Sequence, residues 1–294
     1  MKLILKNHLF PIKKKYIKII VSVLIAIVVL GIISLITSAS RTQAEKKVSV
    51  DILKETGVIN IGLRGDIRPL CTFDNQRGMY EGLEKDIADE IVSRIFIDGI
   101  LVNFVLVNSE TKDAFLESGD LDMSFGASIA GNAKGINYSA SYYSDGSAFL
   151  VMEGSMTSQM GLNGGTIAVV QGSFVSGQNN KNKDLTNIEA YLNAHNIAAS
   201  VKTFGSYPEA VEALRIGHVD GICANEIFLK LFGKSGMLIL PERFLLNNYC
   251  IQVSSSLGAY NKVVDDTIAA MKEDGTLSKL IKKWNLINYA GLEE

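Results

Sequence analysis

The sequence predicts an α/β protein with two lobes, preceded by one transmembrane helix. Along the body of the chain, strand-like runs rich in β-branched residues alternate with helical patterns, an order typical of α/β proteins. The chain has 294 residues, which is long enough for two lobes of ordinary domain size. An apolar run of membrane-spanning length precedes this body.

The apolar run covers residues 19–36 and is interrupted only by Ser22, Gly31 and Ser34. As an α-helix it would be about 27 Å long, close to the thickness of the hydrocarbon core of a bilayer. Lysines precede it and acids do not, so residues 1–18 are predicted to be a cytoplasmic basic tail. Residues 37–51 would then form a linker to an extracytoplasmic body.

The linker contains one candidate cleavage site, Thr42-Gln43-Ala44. A cleavable signal peptide usually has an apolar stretch of about 7–15 residues, which is shorter than the run found here. The length therefore favours an uncleaved signal anchor over a signal peptide. A buried core helix is disfavoured because the run has no polar face.

The charge and the motifs exclude several classes of function. The formal net charge of −2 includes six N-terminal lysines, so the rest of the chain is at −8, which argues against nucleic acid as a partner. No metal-ligand spacing or phosphate-binding loop occurs in the sequence, and we predict neither a metal nor a cofactor. The three histidines, at positions 8, 195 and 218, have no positioned nucleophile, so no catalytic residue is predicted.

The three cysteines cannot all form disulfides within the chain, because their number is odd. Cys223 and Cys250 both lie in strand-like runs of the second half and are candidates for a pair. Burial as small apolar side chains is the favoured interpretation for all three, Cys71 included.

The body opens with a strand–helix–strand pattern. Val58–Leu63 is a strand-like run, and an apolar residue at every fourth position of Leu83–Ile95 predicts a helix. The acids of this helix, Glu84 among them, are predicted to form its solvated face. Ligands of such βαβ units bind at the carboxyl end of the first strand, so the loop with Arg64 and Asp66 is a candidate site.

Residues 82–88, Gly-Leu-Glu-Lys-Asp-Ile-Ala, resemble the signature of extracellular solute-binding proteins of the polar amino acid ABC transporter class, bacterial solute-binding protein family 3. Lys85 departs from that signature, which has an apolar residue at its position. The resemblance extends from Val58 to Trp284. It implies the type II periplasmic-binding-protein fold, in a monomer that closes around a small-molecule ligand by hinge motion and needs no cofactor.

The resemblance also implies two crossings of the chain between the lobes. The strand-like runs 147–152 and 249–253 are the candidates for the outgoing and the returning crossing. The predicted boundaries are residues 52–147 and 255–294 for lobe 1 and residues 150–247 for lobe 2.

Five candidate ligand-binding residues lie in lobe 1. Arg64 keeps the spacing found in relatives that bind acidic amino acids, with Asp66 in the same loop, and the alternative is an ion pair between the two. Lys112 stands where those relatives have a basic residue facing the ligand, and the alternative is an exposed lysine. Ser128 belongs to a turn that normally precedes an arginine for the ligand carboxylate. That arginine is missing, and Lys134 is the nearest cation.

Five further candidates lie in lobe 2. Gly172, Ser173 and Phe174 belong to a turn that matches the family's anion-receiving turn, a strand that feeds a helix N-terminus, and the alternative is a plain tight turn. Asn225 stands where relatives have the aspartate that pairs with the ligand ammonium, and an amide can accept a hydrogen bond but carries no charge. Glu226 adjoins it and is the candidate to replace that aspartate.

These residues predict a membrane-anchored extracytoplasmic solute-binding protein. It would deliver a small polar ligand, acidic and amino-acid-like, to the permease of an ABC importer. Two alternatives use the same scaffold. One is an enzyme of the cyclohexadienyl dehydratase type with Glu226 or Asp66 as general acid, and the other is a ligand sensor that docks to a membrane partner.

Overall fold

The computed structural model describes residues 14–179 and 181–290, which belong to two units that divide after Val48. Helix α1, Lys14–Thr56, covers the described part of the first unit and the first residues of the body, which begins at Ser49. The predicted linker, residues 37–51, is helical. Most of the predicted cytoplasmic tail, residues 1–13, lies outside the described residues.

The body contains seven more α-helices and fourteen strands in its described part. The helices are α2 (Leu83–Ile95), α3 (Lys112–Ser118), α4 (Asn187–Ala194), α5 (Tyr207–Arg215), α6 (Glu226–Phe232), α7 (Tyr260–Glu273) and α8 (Thr276–Lys283). The strands are β1 (Val58–Leu63), β2 (Asp66–Ile67), β3 (Cys71–Asp74), β4 (Met79–Glu81), β5 (Leu101–Leu106), β6 (Met123–Ser124), β7 (Ile136–Tyr138), β8 (Tyr143–Met152), β9 (Thr166–Val170), β10 (Ser200–Phe204), β11 (Gly221–Asn225), β12 (Met237–Ile239), β13 (Phe244–Tyr249) and β14 (Gln252–Ser254).

Each lobe is built on one mixed sheet. The sheet of lobe 1 has the order β5-β1-β6-β14-β7, in which β1 runs parallel to β5 and β6. The sheet of lobe 2 has the order β10-β9-β11-β8-β12, and β13 also pairs with β8. The predicted α/β fold class is therefore confirmed, with helices between most of the parallel strands.

Strands β8 and β13 carry the chain between the two sheets. They are antiparallel neighbours, with Tyr143 opposite Tyr249. Strand β8 begins four residues before the predicted outgoing crossing at residue 147. The predicted return crossing, residues 249–253, is not one strand: β13 ends at Tyr249, and β14 begins at Gln252 in the sheet of lobe 1. The lobe boundaries themselves stay a prediction.

A small three-stranded sheet, β2-β3-β4, lies between β1 and α2 and was not predicted from the sequence. Gly82 fastens this sheet to the start of α2. Its φ angle is 145°, and a Cβ atom at this position would lie 2.2 Å from the carbonyl oxygen of Leu70. Only glycine allows so close an approach of the two backbones.

The apolar stripe of α2 faces the core of lobe 1, as predicted. Leu83, Ile87 and Ile91 are fully buried there. The core of lobe 2 lies on both faces of its sheet. Cys71, Cys223 and Cys250 are buried and free, so the candidate pair of Cys223 and Cys250 does not form a disulfide and burial is the correct interpretation.

Candidate ligand cleft

A cavity of about 470 Å³ lies between the lobes, where loops follow the carboxyl ends of parallel strands. Lobe 1 lines it with Arg64, Ser109, Lys112, Gly126, Ala127, Ser128 and Ile129. Lobe 2 and its connection line it with Val170, Gln171, Gly172, Ser173, Phe174, Tyr207, Asn225, Phe228 and Tyr249. Seven of the ten candidate residues are therefore brought together, and Asp66, Lys134 and Glu226 are not among the lining residues.

Arg64 forms the ion pair with Asp66 that was the alternative to ligand contact. Its Nε and Nη2 donate to the two carboxylate oxygens of Asp66 at 2.9 and 2.7 Å, and Nη1 donates to Ser109 Oγ at 2.8 Å. The side chain of Asp66 is 65 % exposed and is not among the lining residues, whereas that of Arg64 is 18 % exposed and lines the cavity. Arg64 thus brings a largely neutralised charge to the cleft wall.

Glu84 holds the turn that passes beneath Arg64. Its Oε1 accepts hydrogen bonds from the amides of Gly126 and Ala127, at 3.1 and 2.9 Å, and from the hydroxyl of Tyr142 at 2.6 Å. Ala127 has a φ angle of 53°, an uncommon conformation for alanine, so the turn needs this support.

The prediction that Glu84 lies on a solvated helix face is therefore wrong. The side chain is fully buried, because the helix position next to Leu83 faces the turn and not the solvent. Burial raises the pKa of Glu84, and the three hydrogen bonds oppose that effect.

Lys112 supplies the cation with no carboxylate partner. Its ammonium donates to Ser128 Oγ at 2.5 Å, Ser128 donates to Gln252 Oε1 at 3.0 Å, and Gln252 donates to Asp113 Oδ1 at 2.9 Å. Lys112 forms no ion pair within the described chain, and its side chain is half-buried, unlike the exposed lysine of the alternative. Burial lowers the pKa of Lys112, because the charged form has lost water.

The turn after β9 differs from its prediction in one respect. Gly172, Ser173 and Phe174 line the cleft, but residues 171–177 form successive turns and the next helix begins only at Asn187. No helix N-terminus therefore faces the cavity at this turn. The tight-turn alternative describes the backbone correctly.

Asn225 lies at the start of a buried hydrogen-bond chain. Its Nδ2 donates to Tyr249 Oη at 2.8 Å, and Tyr249 Oη donates to Asp145 Oδ2 at 3.2 Å. Asp145 is completely buried, and its Oδ1 has no partner in the described part of the protein. Burial raises the pKa of Asp145 to about 7, although the amide of Ile227 and the hydroxyl of Tyr249 oppose the shift.

Glu226, the candidate to replace the missing aspartate, does not line the cavity, and its carboxylate is bound by other side chains. Arg243 and Lys230 both approach Oε1 at 2.9 Å, and Tyr289 donates to Oε2 at 2.5 Å. Burial alone would raise the pKa of Glu226, but these three partners outweigh it and lower the pKa to about 2. Lys134 is exposed in the loop before β7.

Three aromatic lining residues, Tyr207, Phe228 and Tyr249, were not among the candidates, whereas Phe174 was. Tyr207 and Phe228 stack with ring centroids 5.1 Å apart, and both line the cavity together with Tyr249. A signal for Tyr207 was available, since it follows the carboxyl end of β10 in a parallel sheet. Nothing in the local pattern distinguished Phe228 from a core residue.

The described lining residues include two cations and no acid. Glu84 and Asp145 are buried behind the wall, and Asp66 pairs with Arg64 without being a lining residue itself. No group of three or more His, Cys, Asp or Glu side chains that could hold a metal ion occurs within the described ranges. The arrangement suits a small ligand held between two lobes by hydrogen bonds, by positive charge and by aromatic faces.

Two lobes with a polar cleft at their hinge define a bilobal binding protein. The sequence profile of the bacterial extracellular solute-binding proteins, family 3, matches residues 59–287, so the chain belongs to this family. Its members bind solutes, and curated relatives are named as binding proteins and not as enzymes. These names support a binding protein over the enzyme alternative.

Two relatives illustrate the family. The chain is 26% identical over 257 residues to the ABC transporter glutamine-binding protein GlnH of Bacillus subtilis, covering 84% of this chain and 88% of that protein. It is 25% identical over 240 residues to the L-cystine-binding protein TcyJ of Escherichia coli (strain K12), covering 79% of this chain and 84% of that protein.

Solved structures share the fold. The ancestral amino acid-binding protein AncCDT-1, a precursor of cyclohexadienyl dehydratase, superposes with a TM-score of 0.59 at 21% identity, over 80% of this chain and 98% of that one. Substrate-binding domain 2 of Lactococcus lactis GlnP in its open conformation gives a TM-score of 0.59 at 17% identity, over 78% and 95%. At these identities the likeness concerns the fold alone.

Proposed function

We propose that this protein is a membrane-anchored receptor that binds a small, acidic, amino-acid-like ligand and delivers it to the permease of an ABC importer. The observation that carries the proposal is the cleft lining, which contains Arg64 and Lys112 but no acid among the described residues. A volume of about 470 Å³ suits a ligand of this size. The names of the curated relatives, which bind glutamine and L-cystine, support an amino-acid ligand, and the acidic preference rests on the lining alone.

Lys112 is the proposed anchor for the ligand anion. Its half-buried ammonium has lost water without gaining a carboxylate, so a ligand carboxylate would restore the missing charge partner. Ser128 accepts from the ammonium and so holds it at the cleft wall. Arg64 contributes less, because three of its nitrogens already donate to Asp66 and Ser109.

Tyr207 and Phe228 are proposed to cover the apolar part of the ligand. Strands β8 and β13 would act as the hinge about which the lobes close, as is usual in bilobal binding proteins. In this arrangement the turn at Gly172, Ser173 and Phe174 contacts the ligand from lobe 2. The same proposal keeps the predicted lobe boundaries, with residues 52–147 and 255–294 in lobe 1 and residues 150–247 in lobe 2.

The membrane anchor is proposed on helix α1. Its described stretch Ile27–Thr56 is long and apolar enough to cross a membrane by length and composition, a criterion that a signal sequence near the N-terminus also meets. The proposed location is the cell membrane, with the body on the extracytoplasmic side. A ligand sensor would share this arrangement, and stimulation of a permease's ATPase by the loaded protein separates the importer from the sensor.

The test is isothermal titration of the full-length protein in detergent with the twenty amino acids and their N-acetyl forms. We expect an acidic member to bind, and Lys112→Met to weaken it about tenfold to a hundredfold, because a charge-assisted hydrogen bond is lost. Lys134→Met is the matched control, since Lys134 is an exposed lysine of the same lobe outside the cleft. Equal effects of the two substitutions, or preferential binding of cationic amino acids, would contradict the proposal.

A further inference from the structure

We propose that Asp145 is a positioning residue for ligand recognition: acting through Tyr249, its carboxylate orients the amide of Asn225 so that the amide oxygen receives a ligand ammonium group. The inference rests on the proposed function, because it concerns how the same cleft recognises an amino-acid-like ligand. Asp145 itself does not line the cavity, whereas Asn225 and Tyr249 do.

The direction of the hydrogen bonds follows from what each group can donate. An ionised carboxylate only accepts, so the single hydroxyl hydrogen of Tyr249 goes to Asp145 Oδ2, 3.2 Å away. The oxygen of Tyr249 must then accept from Asn225, which fixes Nδ2 on that side at 2.8 Å. The amide oxygen of Asn225 is left for the ligand.

The surroundings of Asp145 hold this arrangement in place. The carboxylate lies on β8 with no solvent exposure, and the backbone amide of Ile227 at the start of α6 donates to Oδ2 at 3.3 Å. An unpartnered, fully buried Oδ1 is costly for an ionised acid. A cation in the cleft, two hydrogen bonds away, would offset part of that cost through the Coulomb attraction.

The hydrogen-bond chain from Asp145 through Tyr249 to Asn225 explains how a cleft without a lining acid could still accept an ammonium group. The negative charge that the family resemblance places at position 225 is absent there, but Asp145 carries one behind Tyr249. Asn225 would present a neutral acceptor polarised by that charge. An acidic amino acid would then have its ammonium near Asn225 and a carboxylate near Lys112.

Protonation of Asp145 would reverse the direction of donation along these hydrogen bonds. A protonated acid can donate to Tyr249, whose hydrogen would turn to Asn225, and the rotated amide would present its NH₂ group to the ligand. Burial raises the pKa of Asp145 to about 7, so both forms are accessible near neutrality. We therefore expect an ammonium-bearing ligand to bind more tightly as the pH rises through about 7.

The other titratable groups facing Asp145 do not change charge in that window. Tyr143 on the same strand, Tyr249 on β13 and Tyr207 on α5 all have a raised pKa, because they are buried. Glu226 on α6 has a pKa of about 2 and stays ionised. Their charges are constant, so the part of a pH dependence near neutrality that Asp145→Asn abolishes would report on Asp145.

The test uses the full-length protein in detergent, with L-glutamate and N-acetyl-L-glutamate as probes. We expect Asp145→Asn to weaken L-glutamate about tenfold above pH 7 and to change the N-acetyl form less than about twofold, since only the former has an ammonium. Wild type should release a proton on binding L-glutamate near pH 7, measured in two buffers of different ionisation enthalpy, and the variant should not.

Three further variants separate positioning from a general loss of structure. Tyr249→Phe should reproduce the effect of Asp145→Asn, because it interrupts the same chain. Asn225→Asp combined with Asp145→Asn should restore L-glutamate binding, because the charge then lies in the cleft itself. Glu226→Gln is the control, because it removes a buried acid that adjoins Asn225 but takes no part in these hydrogen bonds. It should change the affinity for L-glutamate less than about twofold.

The outcomes distinguish this inference from the proposed function. Equal weakening of both probes by Asp145→Asn, or an unchanged release of protons, would overturn the positioning role and leave the receptor intact. Failure of wild type to bind any of the twenty amino acids or their N-acetyl forms would overturn the proposed function and this inference with it.

Discussion

Glu84 connects the helix signature of the family to the wall of the cleft. One of its two carboxylate oxygens, Oε1, accepts all three hydrogen bonds, from the amides of Gly126 and Ala127 and from the hydroxyl of Tyr142. The turn that it supports carries Ser128 toward Lys112. A buried acid of α2 thereby fixes the position of a proposed ligand-binding group in lobe 1.

We expect Glu84→Leu to lower the free energy of unfolding by about 3 kcal/mol or more, because three buried donors lose their acceptor. Glu84→Gln is the matched control and should cost less than half as much, since its carbonyl oxygen can still accept. Urea unfolding followed by circular dichroism measures both. Equal costs for Leu and Gln would show that an uncharged acceptor oxygen does not support the turn.

The pH dependence of stability has two opposing residue-level contributions. The pKa of Glu226 is lowered to about 2, so its contribution is fully present above the unfolded value near 4.5 and is lost as the pH falls toward 2. The pKa of Asp145 is raised to about 7, so the folded state keeps a proton that the unfolded state releases above about 4. Asp145 therefore reduces stability progressively between about pH 4 and pH 7.

Glu226→Gln should lower the free energy of unfolding by up to about 3 kcal/mol at pH 7, with a difference that shrinks below about pH 4. Asp145→Asn should behave in the opposite sense and gain stability relative to wild type as the pH rises from about 4 to 7. Urea titrations at several pH values check both. A parallel pH profile for wild type and Asp145→Asn would show that the buried carboxylate does not titrate in this window.

At the scale of elements, the junction between the small sheet and α2 depends on Gly82. A Cβ atom there would lie 2.2 Å from the carbonyl oxygen of Leu70, at a φ angle of 145°. Gly82→Ala should therefore cost about 3 kcal/mol of unfolding free energy, from both the contact and the backbone strain.

Gly78→Ala is the control for that substitution. Gly78 also has a positive φ angle, 66°, but a Cβ atom there meets nothing within 4 Å. Its cost should be only about 1 kcal/mol, the strain of the left-handed conformation. Similar costs at both positions, by urea unfolding, would mean that the contact with Leu70 is relieved by a small movement.

The longer elements were predictable from the sequence, and the shortest were not. Helix α2 has a four-residue recurrence over thirteen residues, and β1 coincides with the predicted strand-like run Val58–Leu63. Strand β2 has two residues, too few to show a period, and it is defined by its partner β3. The return crossing was predicted as one strand because its two strands are separated by only two residues.

The site was predictable where it follows from strand ends and not where it depends on distant pairing. Lys112, Ser128 and Asn225 come after strands whose carboxyl ends meet at the cleft, and they do line it. The burial of Glu84 depends on a turn more than forty residues away. The position of Glu226 depends on Arg243 and Tyr289, which no local pattern relates to it.

At the scale of the whole body, the buried polar groups concentrate near the connection between the lobes. Asp145 on β8 and Tyr249 on β13 are bonded across two strands that both cross between the sheets. The same pair supports Asn225 in the cleft wall. The proposed hinge and the proposed ammonium site therefore share side chains, so ligand binding and lobe closure are expected to be energetically linked.

Helix α1 supplies the prediction for the whole chain. Its described large apolar side chains from Leu24 to Ile36 are 47–70 % exposed. Exposed apolar surface on that scale is unfavourable in water and favourable in a bilayer. We expect the cell-associated protein to keep residue 1 and to stay in the membrane fraction after carbonate washing, as measured by mass spectrometry and immunoblotting.

The control for the anchor is Ala44→Leu, which removes the small residue of the candidate cleavage site Thr42-Gln43-Ala44. An uncleaved anchor does not use that site, so the substitution should change neither the mass of the protein nor its fractionation. A cleaved signal peptide behaves differently: wild type would appear in the medium with a new N-terminus near Glu45, and Ala44→Leu would return it to the membrane. That pair of results would replace the proposed anchor with a secreted binding protein and leave the cleft unaffected, because the body begins at Ser49.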